Sequence, residues 1–345
     1  MSDQLLQAEF QPRSELVVPE TFVPRPRFAA IDAHNHLPVG EPRAPASEVP
    51  HVIDVMDEVG VEAIVNLSGG FGDTLKGRIE LLDVAHPGRF YTFCNADWEG
   101  VGSSGWAVKA AGQLADDVRS GAKGLKVFKQ LGLFYRDPVG KLVMPDDPRL
   151  ADLWDAAGAL DIPVLIHSAD PVAFFRPLDR TNERWDELQR HADWHFCGSG
   201  YPAFQDLVAA LYRTIEAHPE TRFITAHVGC YPENLAFVST MLDRYPNLYS
   251  DFSARIGELG RAPYSAREWF IRYADRIVFG TDGTPVPELY RTYYRFLETR
   301  DEYFGYSHQS PVPHQGRWQI YGIALPDDVL RKVYRENMRG LLGLA

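Results

Sequence analysis

From Phe28 onward the chain alternates short apolar runs with longer stretches of helical periodicity, and the alternation occurs eight times. Such a rhythm encodes a parallel sheet with crossover helices, because each buried strand needs a helix to return the chain to the same edge. The strand runs are Phe28–His34, Glu62–Leu67, Phe90–Ala96, Gly124–Phe128, Pro163–Ser168, Arg222–His227, Leu248–Phe252 and Arg276–Gly280. Between them the pattern predicts helices over Ala46–Val59, Ala107–Ser120, Pro148–Leu160, Ala203–His218, Glu233–Arg244 and Ser265–Tyr273, with Pro326–Leu342 closing the series. Eight such units make a closed (β/α)8 TIM barrel of class α/β. An open doubly wound sheet is the alternative, but no Gly-x-Gly-x-x-Gly turn follows the first run. With no shift of composition to mark a linker, residues 28–345 are expected to form one barrel domain behind an N-terminal extension, residues 1–27. Two long segments fall outside the repeat: residues 170–202 after the fifth strand and residues 283–325 after the eighth. Both would emerge at the C-terminal face, where barrel active sites are built. The second is rich in aromatic residues (Tyr290, Tyr293, Tyr294, Phe296, Tyr303, Phe304, Tyr306, Trp318, Tyr321), which suit a pocket wall, an anchored excursion or a subunit contact.

The first run ends Ile31-Asp32-Ala33-His34-Asn35-His36, and an i, i+2 spacing in a strand sends both imidazoles to one face. Alone, a His-x-His triplet carries little weight. Three other runs, however, end in the same kind of group: His167 after Pro163-Val164-Leu165-Ile166, His227 after Phe223-Ile224-Thr225-Ala226, and Asp282 after Ile277-Val278-Phe279-Gly280-Thr281. In a barrel all of these lie at one end. Imidazole nitrogens with a carboxylate suit a divalent ion, zinc first and manganese, iron or cobalt after it, with a coordination position left open.

This ordered set resembles the amidohydrolase superfamily, and within it the amidohydrolase-related branch that holds aminocarboxymuconate-semialdehyde decarboxylase, resorcylate decarboxylases and several lactonases. The resemblance rests on Ile31-Asp32-Ala33-His34-Asn35-His36, Leu165-Ile166-His167, Ala226-His227 and Phe279-Gly280-Thr281-Asp282, and it covers the chain beyond residue 27. It implies that His34, His36, His167 and Asp282 ligate one metal ion, that His227 and Asp282 handle protons beside it, and that the protein forms a homodimer or larger homo-oligomer. The fourth run, Gly124-Leu125-Lys126-Val127-Phe128, resembles the strand of binuclear members whose lysine becomes a carbamate. A carboxylated Lys126 would bridge two ions and move His167 and His227 to the second. The mononuclear site is preferred, with Lys126 then a partner of substrate or of Asp282, and Lys129 a weaker candidate for the same roles.

For substrate contacts the sequence offers Arg255, which suits a bidentate carboxylate clamp or a local pair with Glu258, and Asp170 and Phe174 in the segment that follows His167. The leading expectation is hydrolysis of an amide, lactone or ester-like bond in a small, carboxylate-bearing molecule by a metal-activated water. Non-oxidative decarboxylation of an aromatic or muconate-type acid is the alternative, with hydration a third outcome and a non-catalytic metal-dependent binding protein a fourth. The bulk numbers agree with a small-molecule partner. A net charge of −12 and the lack of a basic tail exclude a generic nucleic-acid surface. No apolar run approaches the ~20 residues that span a bilayer. The N-terminus lacks the basic start and apolar stretch of a signal peptide, and the three cysteines, Cys94, Cys197 and Cys230, carry no C-x-x-C spacing. A cytoplasmic protein with reduced, structural thiols is therefore expected.

Overall fold

The computed structural model describes residues 9–10, 12–37, 48–307, 310 and 312–344. Its strands are β1 (Ala30–Asn35), β2 (Val61–Asn66), β3 in two segments (Phe90–Thr92 and Cys94–Asn95), β4 (Leu125–Val127), β5 (Val164–Ile166), β6 (Phe223–Thr225), β7 (Leu248–Asp251) and β8 (Ile277–Val278). Every neighbouring pair is parallel. Regular ladders run from β1 to the first segment of β3, and from its second segment to β8. Phe93 is the joint, its N–H donating to Asn66 O at 2.9 Å. The ring closes where Ala33 N–H donates to Phe279 O and Asp282 N–H donates to His34 O, both at 2.8 Å. The fold is therefore the (β/α)8 barrel that the eightfold rhythm predicts.

The helices form where apolar residues recur every three or four positions. Phe204–Ala217 buries Phe204, Leu207, Val208, Leu211 and Ile215 on one face. Each such side chain contributes roughly 1.5–3 kcal/mol when fully buried. Val49–Val59 does the same with Val49, Val52, Val55, Met56 and Val59, and stops at Gly60, whose φ of 77° places it in the left-handed region. The predicted start of that helix at Ala46 lies outside the described residues. One core lies between sheet and helices. A second joins Ile31, Val65, Phe93, Leu165, Ile224 and Val278 with Met338 and Leu341 of the C-terminal helical run.

Two elements differ from expectation. A helix, Gly72–Ile79, continuing through Glu80–Val84, connects β2 to β3 and is not among those predicted. More consequentially, residues 283–325 are not a loop throughout, because Pro287–Glu298 is a helix. Leu289, Tyr290, Tyr293, Tyr294, Phe296 and Leu297 are its buried face. Tyr293 and Tyr294 pack edge-on and tilted against Phe279. These aromatics brace the barrel from outside. The extension is anchored to the same region: the Thr21 hydroxyl donates to Asp301 at 2.7 Å. Arg25 donates to Glu58 O at 2.9 Å. Among the described residues, no helix is long and apolar enough to cross a membrane.

Candidate active site

Three strand ends bring the chemistry together. His34 lies in β1, His227 follows β6, and Asp282 follows β8. The close approach of β8 to β1 depends on Gly280, where a Cβ would stand 2.8 Å from His34 Cβ. Asp282 becomes the meeting point. Its Oδ1 is 3.7 Å from His34 Nε2 and 3.7 Å from His36 Nε2, and its Oδ2 is 3.6 Å from His227 Nε2.

Hydrogen bonds on the far side of each ring decide which nitrogen is free. His227 Nδ1 lies 2.8 Å from Ser253 O, and a carbonyl oxygen only accepts, so the proton is on Nδ1 and Nε2 presents a lone pair. His34 Nδ1 lies 2.8 Å from Asp251 Oδ2, which fixes the same tautomer. Asp251 also accepts His227 N–H at 2.9 Å, Ser253 N–H at 3.0 Å and the Ser253 hydroxyl at 2.7 Å. One buried carboxylate thus aims two imidazoles. His36 is steadied less firmly, by Ser68 Oγ at 2.9 Å from its Nδ1. Among the described residues, one ligand atom each of His34, His227 and Asp282 lie within 4.8 Å of one another. Nitrogen lone pairs beside a carboxylate oxygen, at that spacing, fit a divalent ion.

The electrostatics favour the same use. Burial holds His34 and His227 well below the usual imidazole range, lowers His36 to about 3 and lowers His167 to about 4, so all four are neutral at pH 7. Desolvation raises the Asp282 carboxyl to about 7, against the opposing pull of Lys126. It lowers the Lys126 ammonium to about 8, with Asp282 and Asp251 holding it up.

The remaining candidates divide. Lys126 is fully buried, and its Nζ stands 3.4 Å from His34 Nε2, with no ion pair to Asp282 within 4 Å. The His167 ring packs edge-on against His227 at 4.4 Å between centroids, while its Nε2 faces Asp170 Oδ1 at 3.3 Å. Asp170 is itself buried and also accepts from Lys129 Nζ. Its oxygens are therefore taken up inside the protein. Phe174 is buried and stacks on Trp194. Cys230 is buried too, and desolvation raises its thiol to about 11. Arg255 is only 6% exposed, and of its two readings the local pair with Glu258 is absent: Glu258 bonds Arg184. Sequence reasoning missed Asp251 and Ser253. Their positions in and just after β7 were visible, but nothing in an isolated Ser-Asp-Phe-Ser stretch marks it as the support of histidines 24 and 217 residues away.

A family profile described as amidohydrolase matches residues 24–344. No protein of curated function is similar enough in sequence to be matched. Among solved structures, an uncharacterized TIM-barrel protein from Bordetella bronchiseptica is 14% identical with a TM-score of 0.57, covering 91% of this chain and 98% of that chain. A dihydroxybenzoic acid decarboxylase from a Polaromonas species, with bound manganese and the inhibitor 2-nitroresorcinol, is 15% identical with a TM-score of 0.56, covering 92% and 97%. A probable 2-pyrone-4,6-dicarboxylic acid hydrolase from Acinetobacter baumannii, with citric acid bound, is 11% identical with a TM-score of 0.50, covering 92% and 100%. Identities this low establish the shared barrel and leave the reaction to the site.

Proposed function

The chain belongs to the amidohydrolase family, and on that premise we propose that it is a metal-dependent hydrolase that opens an amide, lactone or ester-like bond in a small, carboxylate-bearing molecule. The observation that carries this reading is the convergence of three imidazole Nε2 atoms on Asp282 in a cluster that is wet on one side only. His34 and His227 are sealed, whereas the side chains of His36 and Asp282 are 32% and 28% exposed. Water, the second reactant of a hydrolysis, has access to that face.

His34, His227 and Asp282 would hold the ion, with His36 beside them. A divalent ion there supplies Lewis acidity to an oxygen of water or substrate. The protein's own groups do the rest. Water adds its oxygen to the carbonyl carbon, its proton passes to a carboxylate oxygen of Asp282, and Asp282 returns the proton to the leaving oxygen or nitrogen as that bond breaks. Because His227 Nε2 presents a lone pair, His227 is a ligand or proton acceptor here and not a donor to the developing oxyanion. Lys126 Nζ, aimed at the same centre, is the donor available to that oxygen. Arg255 would take the substrate carboxylate. A single ion with an unmodified Lys126 is the preferred state, since His167 Nε2, which would be needed to hold a second ion, faces Asp170 Oδ1 at 3.3 Å.

A panel of lactones, esters and amides of carboxylic acids, assayed with zinc or manganese for acid release, tests the proposal; dihydroxybenzoates assayed for carbon dioxide serve as the contrast. Carbon dioxide release without any hydrolysis would overturn it. That outcome is the second reading, and the presence of Arg255 and Lys126 as two buried cations near the site favours it, because both can hold a carboxylate that is about to leave.

A further inference from the structure

Arg255 is buried and charged, yet its one hydrogen bond runs from Nη1 to Ala254 O at 2.9 Å, and its Nε has no partner. Three residues on, in the same turn, Glu258 is also buried and its Oε2 has no partner. A donor and an acceptor that would satisfy each other stand apart. Glu258 is held instead by Arg184, from the long segment after β5. This arginine is fully buried, donates from Nη1 to Glu187 Oε2 at 2.9 Å and from Nη2 to Glu258 Oε1, and lies over the Trp318 ring at 5.5 Å. Arg184 thus holds one oxygen of each of these two carboxylates, and among the described residues no carboxylate lies within 4 Å of the Arg255 guanidinium. A buried guanidinium without an anion is costly, and an incoming carboxylate relieves that cost.

We propose that Arg184 sets the specificity of the site for anionic substrates: by holding Glu258, it keeps that carboxylate off Arg255 and so leaves the Arg255 guanidinium for the carboxylate of the substrate. The proposal rests on the reading of Arg255 as the substrate-carboxylate partner. Arg184 touches no substrate and is a positioning residue. Without it, Glu258 becomes an unpaired buried anion whose nearest released cation is Arg255, and the clamp is occupied from within.

The test uses manganese-loaded protein and two probes of the same shape, benzoate and its neutral counterpart benzamide, with dissociation constants measured by calorimetry. Wild-type protein is expected to prefer benzoate, and Arg255→Met to erase the preference. Arg184→Met should weaken benzoate by about tenfold or more, the scale of a lost charge-assisted contact, and leave benzamide within about twofold. Arg184→Met with Glu258→Gln should recover benzoate binding, since no carboxylate then competes. Should Arg184→Met fold poorly, Arg184→Lys, which cannot serve Glu187 and Glu258 with one planar fork, is expected to show a smaller loss of benzoate alone. Equal weakening of both probes, or no recovery in the double variant, refutes the role of Arg184. No preference for benzoate in the wild type, or a preference that survives Arg255→Met, refutes the underlying assignment of Arg255 instead.

Discussion

Replacing Asp251 by Asn perturbs the candidate centre without replacing any of the residues that would hold the ion. The carboxylate accepts four hydrogen bonds: His227 N–H, Ser253 N–H and the Ser253 hydroxyl use Oδ1, and His34 Nδ1–H uses Oδ2. An amide has only one acceptor oxygen. Three donors compete for it on the Oδ1 side, so the NH2 group takes the Oδ2 position and points at His34 Nδ1. That nitrogen must then become the acceptor, and the ring proton moves to Nε2, the atom facing Asp282. A protonated Nε2 cannot ligate. Loss of such a supporting carboxylate typically weakens metal binding by about 10–100-fold, or about 1.4–2.7 kcal/mol. Competition with a chromophoric chelator measures the affinity, and the Tm of the metal-free variant shows whether the barrel persists. Zinc or manganese affinity within about twofold of wild type, in a folded Asp251→Asn protein, refutes the tautomer argument.

Other outcomes follow from the same geometry. Chelation should abolish turnover and lower Tm, and saturating metal at about 100 times its Kd should return about 2.7 kcal/mol of stability; equal melting curves with and without metal contradict the site. Gly280→Ala places a Cβ 2.8 Å from His34 Cβ, so it should destabilise the fold by about 1–3 kcal/mol and weaken metal binding together, read by denaturation and by the chelator assay. Metal-free protein should lose stability on acidification. His167 is held at about 4 in the folded protein, against about 6.5 unfolded, so the unfolded chain binds the extra proton and stability is greatest above about pH 6.5 and falls toward about pH 4. The slope is at most about 1.4 kcal/mol per pH unit for that histidine, and denaturant midpoints that stay constant between pH 7 and pH 5 contradict it.

The barrel was legible because its signal is local and repeated. Apolar runs of five to seven residues, most of them followed by a 3.6-residue periodicity, survive small errors at any one boundary. The helix Pro287–Glu298 carried the same signal, in the spacing of Leu289, Tyr290, Tyr293, Tyr294 and Leu297, but its aromatic character suited a pocket wall, an anchored excursion or a subunit contact equally well. The strand-end residues were legible for a different reason: His34, His36, His167, His227 and Asp282 are unusual there, and strand ends converge. The family resemblance, however, puts His167 among the ligands and His227 beside them, whereas the structure groups His227 with His34 and Asp282. What could not be read is which groups each side chain meets. Glu258 is three residues from Arg255 and still pairs with Arg184, 74 residues away. Asp170 could have faced substrate, but Lys129 and His167 enclose it. Long-range partners depend on how loops fold over the barrel mouth, and single-chain periodicity says nothing of that.

The backbone around His227 shows how firmly such partners act. His227, Val228 and Cys230 all have φ of 59°, and Gly229 between them has 64°, so four consecutive residues occupy the left-handed region. For the three with side chains this costs roughly 1–2 kcal/mol each. The turn persists because its polar groups are met from outside: Asp251 Oδ1 accepts His227 N–H, Ser250 Oγ accepts Gly229 N–H at 3.1 Å, and the Tyr212 hydroxyl donates to Gly229 O at 3.3 Å. Two of those three partners belong to β7, a strand that supplies no candidate ligand. β7 therefore does two things at once. It holds His227 in a strained turn that carries the ring to Asp282, and through the other oxygen of Asp251 it sets the tautomer of His34 on the opposite side of the cluster. A barrel can vary the loops above such a strand, and with them its substrate, while the aim of the two imidazoles stays the same.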